Sequence, residues 1–267
     1  MEVITIIPAR YASQRFPSKP LVMIKGSRET HSLIYWTWTQ AKIPEGVKSV
    51  YIATDSSEIK HHAESFGAKV IMTSEKCRNG TERCYDAMQH IQETADVIVN
   101  FQGDSPLTPS CFVENLMQKF HQPHPPDVVT PALQCNPEIH KQFTYDQSAL
   151  PRGTFVVFNN KHQAMYFSKS CIPFLPQTGA STAFLSAYHH VGLYAYNQNA
   201  LANYVQWETG ALETIEGLEQ LRFLENGFPI TIVLMKEPSY PLWEVNIPGD
   251  EKNVEAVLNS GAWPLRL

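Results

Sequence analysis

Apolar residues fall into short runs separated by polar segments rich in proline and glycine, and this spacing predicts alternating strands and helices. Residues 3–7 are a β-branched and aliphatic run stopped by Pro8. A run bounded in this way reads as a buried strand of a parallel sheet. Residues 21–24 form a short extended piece ending at Gly26. Residues 30–42 carry Leu33, Ile34, Trp36, Trp38 and Ala41 at mixed spacing and read as a helix capped by Thr30. SVYIATD (49–55) is a second strand, and Ser56, Ser57 and Glu58 open a helix that runs to Phe66 and ends at Gly67. KVIMT (69–73) and residues 97–101 are two further strands. Between them Thr81 is the expected N-cap of a helix, with Arg83 in its first turn. This alternation predicts an α/β fold, with a Rossmann-like, mostly parallel sheet flanked by helices.

The second half is more mixed. Residues 127–133 read as a strand, and the polar stretch 134–152 as a crossover. Residues 153–160 and 164–174 read as antiparallel strands joined at Asn159-Asn160, and 189–198 as one alternating strand. Residues 134–200 are therefore expected to form a smaller β lobe inserted into one domain that spans 1–267. Residues 213–226 read as a single helix, with Ile215, Leu218, Leu221 and Leu224 at helical spacing and Asn226-Gly227 as its stop. A strand over 228–235 and a helix over 248–260, with Pro248 near its first turn, complete the pattern.

Composition narrows the function classes. The 267 residues are 43% hydrophobic and 18% charged, an ordinary globular balance. A net charge of −5 argues against a nucleic-acid partner, so the basic residues near the N-terminus act locally. No apolar stretch approaches the roughly 20 residues that span a bilayer, and no secretory leader pattern opens the chain. The five cysteines are odd in number and contain no C-x-x-C pair, which predicts reduced thiols in a cytoplasmic protein.

Three segments carry candidate chemistry. Behind the first strand, Arg10, Ser13, Arg15 and Lys19 place three cations and a hydroxyl within ten residues. At the carboxyl end of a sheet strand such a loop suits a polyanion, most simply a nucleoside triphosphate; the plain alternative is a solvated basic turn. The loop 74–83, SEKCRNGTER, can cup a base or ribose with backbone groups, or can simply connect a strand to a helix. Residues 97–101 deliver Gln102, Gly103 and Asp104 at a strand tip. A carboxylate facing a triphosphate loop is where Mg²⁺ would be held, and its plain alternative is a capping residue.

With these residues on the page, the chain resembles the 3-deoxy-manno-octulosonate (Kdo) cytidylyltransferases of the sugar nucleotidyltransferase superfamily. IIPARYASQRFPSKPL is similar to that family's IPARxxSxRxPxKPL loop, MTSEKCRNGTER to its MTxxxxxSGTxR loop, and VNFQGDSPLTP to its VNxQGDEPxIxP strand. YFSKSCIPF, HHVGLYAY, LEQLRFLENG and VNIPGDEKNVEAV are similar to YFSRxxIP, KHxGIYxY, LEQLRxLxxG and VDTPEDLExV. The resemblance implies transfer of CMP from CTP to the anomeric hydroxyl of a Kdo-like ulosonic acid, with release of pyrophosphate and Mg²⁺ as cofactor. It implies that Ala9, Arg10, Ser13, Arg15 and Lys19 hold the triphosphate and that Asn79, Gly80, Thr81 and Arg83 shape the cytidine pocket. Gln102, Lys169, His190, Tyr194, Glu219 and Gln220 would line the sugar-acid site, and Asp104 would ligate the metal with Asn246. Arg10, Lys19 and Asp104 are the implied catalytic set, and a cytoplasmic homodimer in lipopolysaccharide biosynthesis is the implied setting.

The departures from the pattern are local. The second metal carboxylate of the family is Asn246 here, and its amide carries no charge. Glu244, two residues upstream and on the same face of an extended segment, is the candidate that restores the charge. Ser105 replaces a glutamate and Lys169 an arginine, and the latter change gives up a bidentate fork. Two readings follow: an active enzyme, with Kdo or a modified acid such as an 8-amino form as substrate, or a catalytically weakened nucleotide-binding homologue with a regulatory or assembly role.

Overall fold

Alternation along the first strand dictates a layered fold. Val3 and Ile7 enter one apolar cluster, and Ile4 and Ile6 enter another, because successive strand side chains point to opposite faces. A strand apolar on both faces needs a covering layer on each. The protein is described by a computed structural model over residues 1–12, 16–135, 153–174 and 187–263. The candidate residues Ser13 and Arg15 lie outside the described residues.

The elements run β1 (Val3–Pro8), a 3-10 turn (Lys19–Leu21), β2 (Met23–Lys25), β3 (Thr30–Ser32), α1 (Leu33–Ala41), β4 (Val47–Thr54) and α2 (Ser57–Ser65). They continue with β5 (Lys69–Met72), α3 (Gly80–Met88), β6 (Val97–Phe101), α4 (Ser110–Lys119) and β7 (Val128–Gln134). Next come β8 (Thr154–Phe158), β9 (Ala164–Ser168), β10 (Tyr188–His190), β11 (Leu193–Asn197) and α5 (Gln198–Gln206). The last are α6 (Ala211–Glu216), α7 (Leu221–Glu225), β12 (Thr231–Met235) and α8 (Glu251–Asn259). Helices α1, α2 and α4 cover one face of the sheet through Ile34, Trp38, Ile59, Phe112 and Leu116. Helices α3, α5 and α7 cover the other through Cys84, Leu201, Tyr204, Leu221 and Phe223.

The main sheet has the order β5-β4-β1-β6-β11-β7-β10-β8-β9, with β12 parallel on β7, and β2-β3 form a small separate ladder. Strands β5, β4, β1 and β6 are mutually parallel. The chain steps outward from β1 to β4 and β5 and then returns to β6 on the other side of β1. At that reversal the loops after β1 and β6 diverge and leave a crevice at the carboxyl edge, where open α/β sheets bind ligands.

Four local expectations are corrected. Thr30 does not cap the first helix, because residues 30–32 pair with β2 as β3 and Ser32 is the N-cap, accepting from the Tyr35 N–H at 3.3 Å. The mixed spacing of that helix arises because it serves two clusters: Ile34 and Trp38 face the main sheet, while Leu33 and Trp36 pack with Ile24, Val254 and Val257. Asn79 rather than Thr81 caps α3, its Oδ1 accepting from the Glu82 N–H at 2.9 Å. The stretch 189–198 is two strands, broken at Val191-Gly192, since β10 bridges β7 and β8 while β11 lies between β6 and β7.

The single helix expected over 213–226 is also two, α6 and α7, divided by Gly217 in the left-handed region at φ +61°. Its apolar spacing misled because Ile215 is 81% exposed while Glu213 is buried against Arg222. Within 134–200, residues 136–152 and 175–186 lie outside the described residues, and the described strands β8–β11 are hydrogen-bonded into the main sheet. Among the described residues no helix is long and apolar enough to cross a membrane.

Candidate functional site

The crevice at the β1/β6 reversal opens into a cleft of about 650 Å³. Its floor exists because Gly103 has no side chain: a Cβ there would stand 2.6 Å from the Pro8 carbonyl oxygen, so no larger residue lets the two strand tips lie side by side. From the β1 tip come Ala9, Arg10 and Lys19, and from the β6 tip Gln102 and Asp104, all on the cleft surface. Lys19 Nζ donates to Asp104 Oδ2 at 2.6 Å, across 85 positions of sequence. The cation of the triphosphate loop and the metal-type carboxylate thus meet in the fold.

A second carboxylate joins them. The Val245 N–H donates to the Asp104 carbonyl at 3.0 Å, which holds the segment 244–246 against the β6 tip. Glu244 lines the cleft, and burial together with the adjacent Asp104 charge pushes its carboxyl up to about 7. Asn246 is not on the cleft surface but is hydrogen-bonded to Glu244, which is. Its N–H donates to Asp250 Oδ2 at 2.9 Å, and its Nδ2 lies 3.4 Å from Glu244 Oε2. Asp104 and Glu244 are hard oxygen donors beside a triphosphate-type loop, a set that suits a divalent cation such as Mg²⁺, which takes one or two carboxylates and completes its shell with phosphate and water oxygens. The crowding of two carboxylates, opposed by the Asn246 amide, the Lys19 charge and the Ser105 hydroxyl, is the electrostatic signature of a site that favours positive charge.

The base-type loop borders the same cleft, with Gly80 against Pro8 and Gln102. Asn79, Gly80 and Arg83 line the cleft, and Thr81 lies behind its surface, with Oγ1 3.0 Å from the Tyr196 hydroxyl. Arg83 is buried, its Nη2 donating to Asp55 Oδ2 at 2.8 Å and its Nη1 to Thr73 Oγ1 at 2.6 Å. These two bonds brace the loop. Asp55, the polar end of the second strand, also accepts from the Tyr11 N–H at 3.4 Å and so ties the two loops together.

The far end of the cleft holds His190, Tyr194, Glu219 and Gln220. Glu219 Oε2 accepts from the Thr81 N–H at 3.1 Å, so this carboxylate sits at the N-terminus of α3 and braces the base-type loop as well as the wall. Burial raises its carboxyl above the usual range, opposed by the N–H bonds of Thr81 and Gly80. His190 is fixed by hydrogen-bond accounting. The Thr130 hydroxyl has one hydrogen and spends it on the Leu193 carbonyl at 2.7 Å, so at 2.8 Å it accepts from His190 Nε2–H. Burial, and secondarily His189, depress the His190 pKa to about 3, so the ring is neutral with Nδ1 bare.

Lys169 is the outlier of the candidate set. It is absent from the cleft surface; its N–H donates to Glu216 Oε2 at 3.0 Å, and its Nζ lies 2.9 Å from where a Cβ on Gly217 would stand, just behind the wall. Sequence reasoning missed Arg78, Thr209, Glu213 and Arg222, all of which border the cleft. Two signals were present: Arg78 lies inside the quoted loop 74–83, and the arginine inside LEQLR is a charged residue among apolar helix positions.

Comparison with known proteins places these observations among relatives. Residues 4–236 match the family model described as Cytidylyltransferase. A 3-deoxy-manno-octulosonate cytidylyltransferase of Maricaulis maris (strain MCS10) is 40% identical over 261 residues, covering 97% of each chain. An 8-amino-3,8-dideoxy-manno-octulosonate cytidylyltransferase of Shewanella pealeana is 36% identical over 260 residues, covering 97% of this chain and 99% of that one. Among solved structures, a CMP:2-keto-3-deoxy-manno-octonic acid synthetase complexed with CTP aligns with a TM-score of 0.81 and 31% identity, covering 97% of this chain and 98% of that chain.

Proposed function

This chain belongs to the cytidylyltransferase family, and on that premise we propose that it transfers CMP from CTP to the anomeric hydroxyl of a Kdo-like ulosonic acid, releasing pyrophosphate. The observation that carries the reading is the meeting of Lys19 and Asp104 at 2.6 Å in the β1/β6 crevice, with the Asn79–Arg83 loop bordering the same cleft. In the reaction the anomeric oxygen attacks the α-phosphorus in line. The new P–O bond forms as the bond to the bridging α,β-oxygen breaks, the electron pair leaves with pyrophosphate, and the hydroxyl proton passes to solvent. Such chemistry is mostly positioning and neutralisation of charge.

Arg10 and Lys19, which line the cleft, would hold the phosphates, and Asn79 and Gly80, which line it too, would shape the cytidine pocket. His190, Tyr194 and Gln220 form the wall that would meet the sugar acid, with neutral His190 presenting Nδ1 as an acceptor. Mg²⁺ is part of the proposal: bound, it would neutralise charge on the phosphates and the departing pyrophosphate, held by Asp104 and Glu244, with Asn246 beside them. A cytoplasmic homodimer that supplies an activated sugar acid for lipopolysaccharide completes the proposal, supported by resemblance to the Kdo enzymes.

The test is pyrophosphate release from CTP and Mg²⁺ against a panel of eight- and nine-carbon ulosonic acids that includes Kdo and its 8-amino form. Release with at least one acid is expected, and silence across the panel overturns the reading. The weakened-homologue reading rests on Asn246; a large gain in turnover with Kdo on Asn246→Asp would favour it.

A further inference from the structure

Between the Asn79 loop and the Glu219 wall lies a buried polar network that none of the substrate contacts above requires. Arg222 is fully buried. Its Nε and Nη2 donate to Glu213 Oε2 and Oε1, each at 2.7 Å, and its Nη1 to Glu82 Oε1 at 3.0 Å. Glu213 belongs to α6 and Glu82 to the first turn of α3, so one guanidinium clamps two elements that both border the cleft. The same guanidinium lies over the Tyr204 ring, 4.2 Å from its centroid.

Tyr204 completes the link. Its buried hydroxyl accepts from Asn79 Nδ2 at 2.8 Å and donates to the Glu219 carbonyl at 3.1 Å. The orientation of the Asn79 amide is forced, since Oδ1 must accept the Glu82 N–H at the helix cap, leaving Nδ2 for Tyr204. Capping alone does not call for asparagine: serine caps a helix as well but has no second group to reach past the cap. Every nitrogen of the buried guanidinium has an acceptor, as a buried charge requires, and the network joins the Asn79 loop to the Glu219 segment.

We propose that Tyr204, seated on Arg222, is a positioning residue that ties the Asn79 loop to the α6–α7 wall, so that CTP binding on the loop rigidifies the wall that receives the sugar acid. The inference rests on the reading of the cleft as a CTP and sugar-acid site. Its physical need is clear, because in-line attack demands that both reactants share one frame, and a misplacement of about 1 Å costs on the order of a hundredfold in rate.

Tyr204→Phe removes the hydroxyl and leaves the ring on Arg222. Calorimetric titration with CTP, paired with amide hydrogen exchange over residues 211–225 with and without CTP, tests the link. Tyr204→Phe is expected to bind CTP within about threefold of wild type, while kcat falls by roughly tenfold or more with little change in the KM for CTP. CTP is expected to slow exchange over 211–225 in the wild type and not in Tyr204→Phe. If that variant does not fold, Asn79→Ser, which keeps the cap and every Arg222 contact, carries the same exchange test. Equal protection of 211–225 by CTP in wild type and variant overturns the proposal. Failure of the wild type to bind CTP overturns instead the reading of the cleft on which it rests.

Discussion

At the scale of single residues, the centre of the site is a contest of charges. Asp104 and Glu244 crowd one another, and Lys19 is the cation that meets them, so a group that arrives with further positive charge is favoured there. Asp104→Ala is expected to abolish metal-dependent pyrophosphate release, by about a thousandfold or more, because several kcal/mol of charge stabilisation are lost. The thermal transition should stay near that of the wild type, and unchanged turnover would remove Asp104 from its role. Glu244→Gln should weaken Mn²⁺ binding, followed by its electron paramagnetic resonance signal, by about tenfold, roughly 1.4 kcal/mol. The histidines give a pH prediction. Burial depresses His189 to about 4 and His190 to about 3, below the ordinary value of about 6.5. The unfolded chain therefore binds protons that the folded chain refuses. Stability is complete above about pH 6.5 and is lost as pH falls from there toward 4 and then 3. Calorimetry from pH 7 to 4.5 should show a falling transition temperature, with a shallower fall in His190→Gln.

At the scale of elements, two glycines separate local strain from close approach. Gly217 ends α6 at φ +61°, where a side chain is strained, and the nearest atom to an added Cβ is the flexible end of Lys169. Gly217→Ala should cost about 1 kcal/mol, measured by urea unfolding, with the cleft otherwise retained. At Gly103 the obstacle is the Pro8 backbone, which cannot yield. Gly103→Ala should force the β1 and β6 tips apart and lower CTP affinity by more than about tenfold, since Lys19 and Asp104 depend on that approach. Isothermal titration distinguishes the two variants. The start of α2 was legible from Ser56, Ser57 and Glu58, and there Ser56 Oγ accepts from the Ile59 N–H at 3.4 Å. The cap of α3 was misread, because Asn79 and Thr81 both carry capping side chains. Thr81 is drawn inward to the Tyr196 hydroxyl, a choice made by tertiary packing.

At the scale of the whole molecule, the cleft draws on β1, β6, β10, β11, the α3 loop, the α6–α7 wall and the segment at 244. A ligand that contacts so many separated segments stabilises the folded state by mass action. CTP with Mg²⁺ at a hundredfold excess over its dissociation constant should add about 2.7 kcal/mol, or roughly 5–10 °C in transition temperature. UTP and GTP at the same concentration should do less, and equal shifts would contradict a cytidine-shaped pocket.

The sequence by itself determined the parallel strands β1, β4, β5 and β6 and the helices between them, though not the β2-β3 ladder, because buried parallel strands are apolar runs that end in breakers, and both are local properties. It also determined the basic loop and the Asp104 tip, since short motifs carry their own chemistry. Only the tertiary structure decided that Lys19 and Asp104 touch, that Glu244 rather than Asn246 faces the cleft, and that residues 213–226 break at Gly217. It alone brought Arg222 beneath Tyr204 as the link between the two walls. Those outcomes depend on pairings across tens to hundreds of residues, where a buried guanidinium in search of carboxylates outweighs the apolar spacing of the helix that carries it.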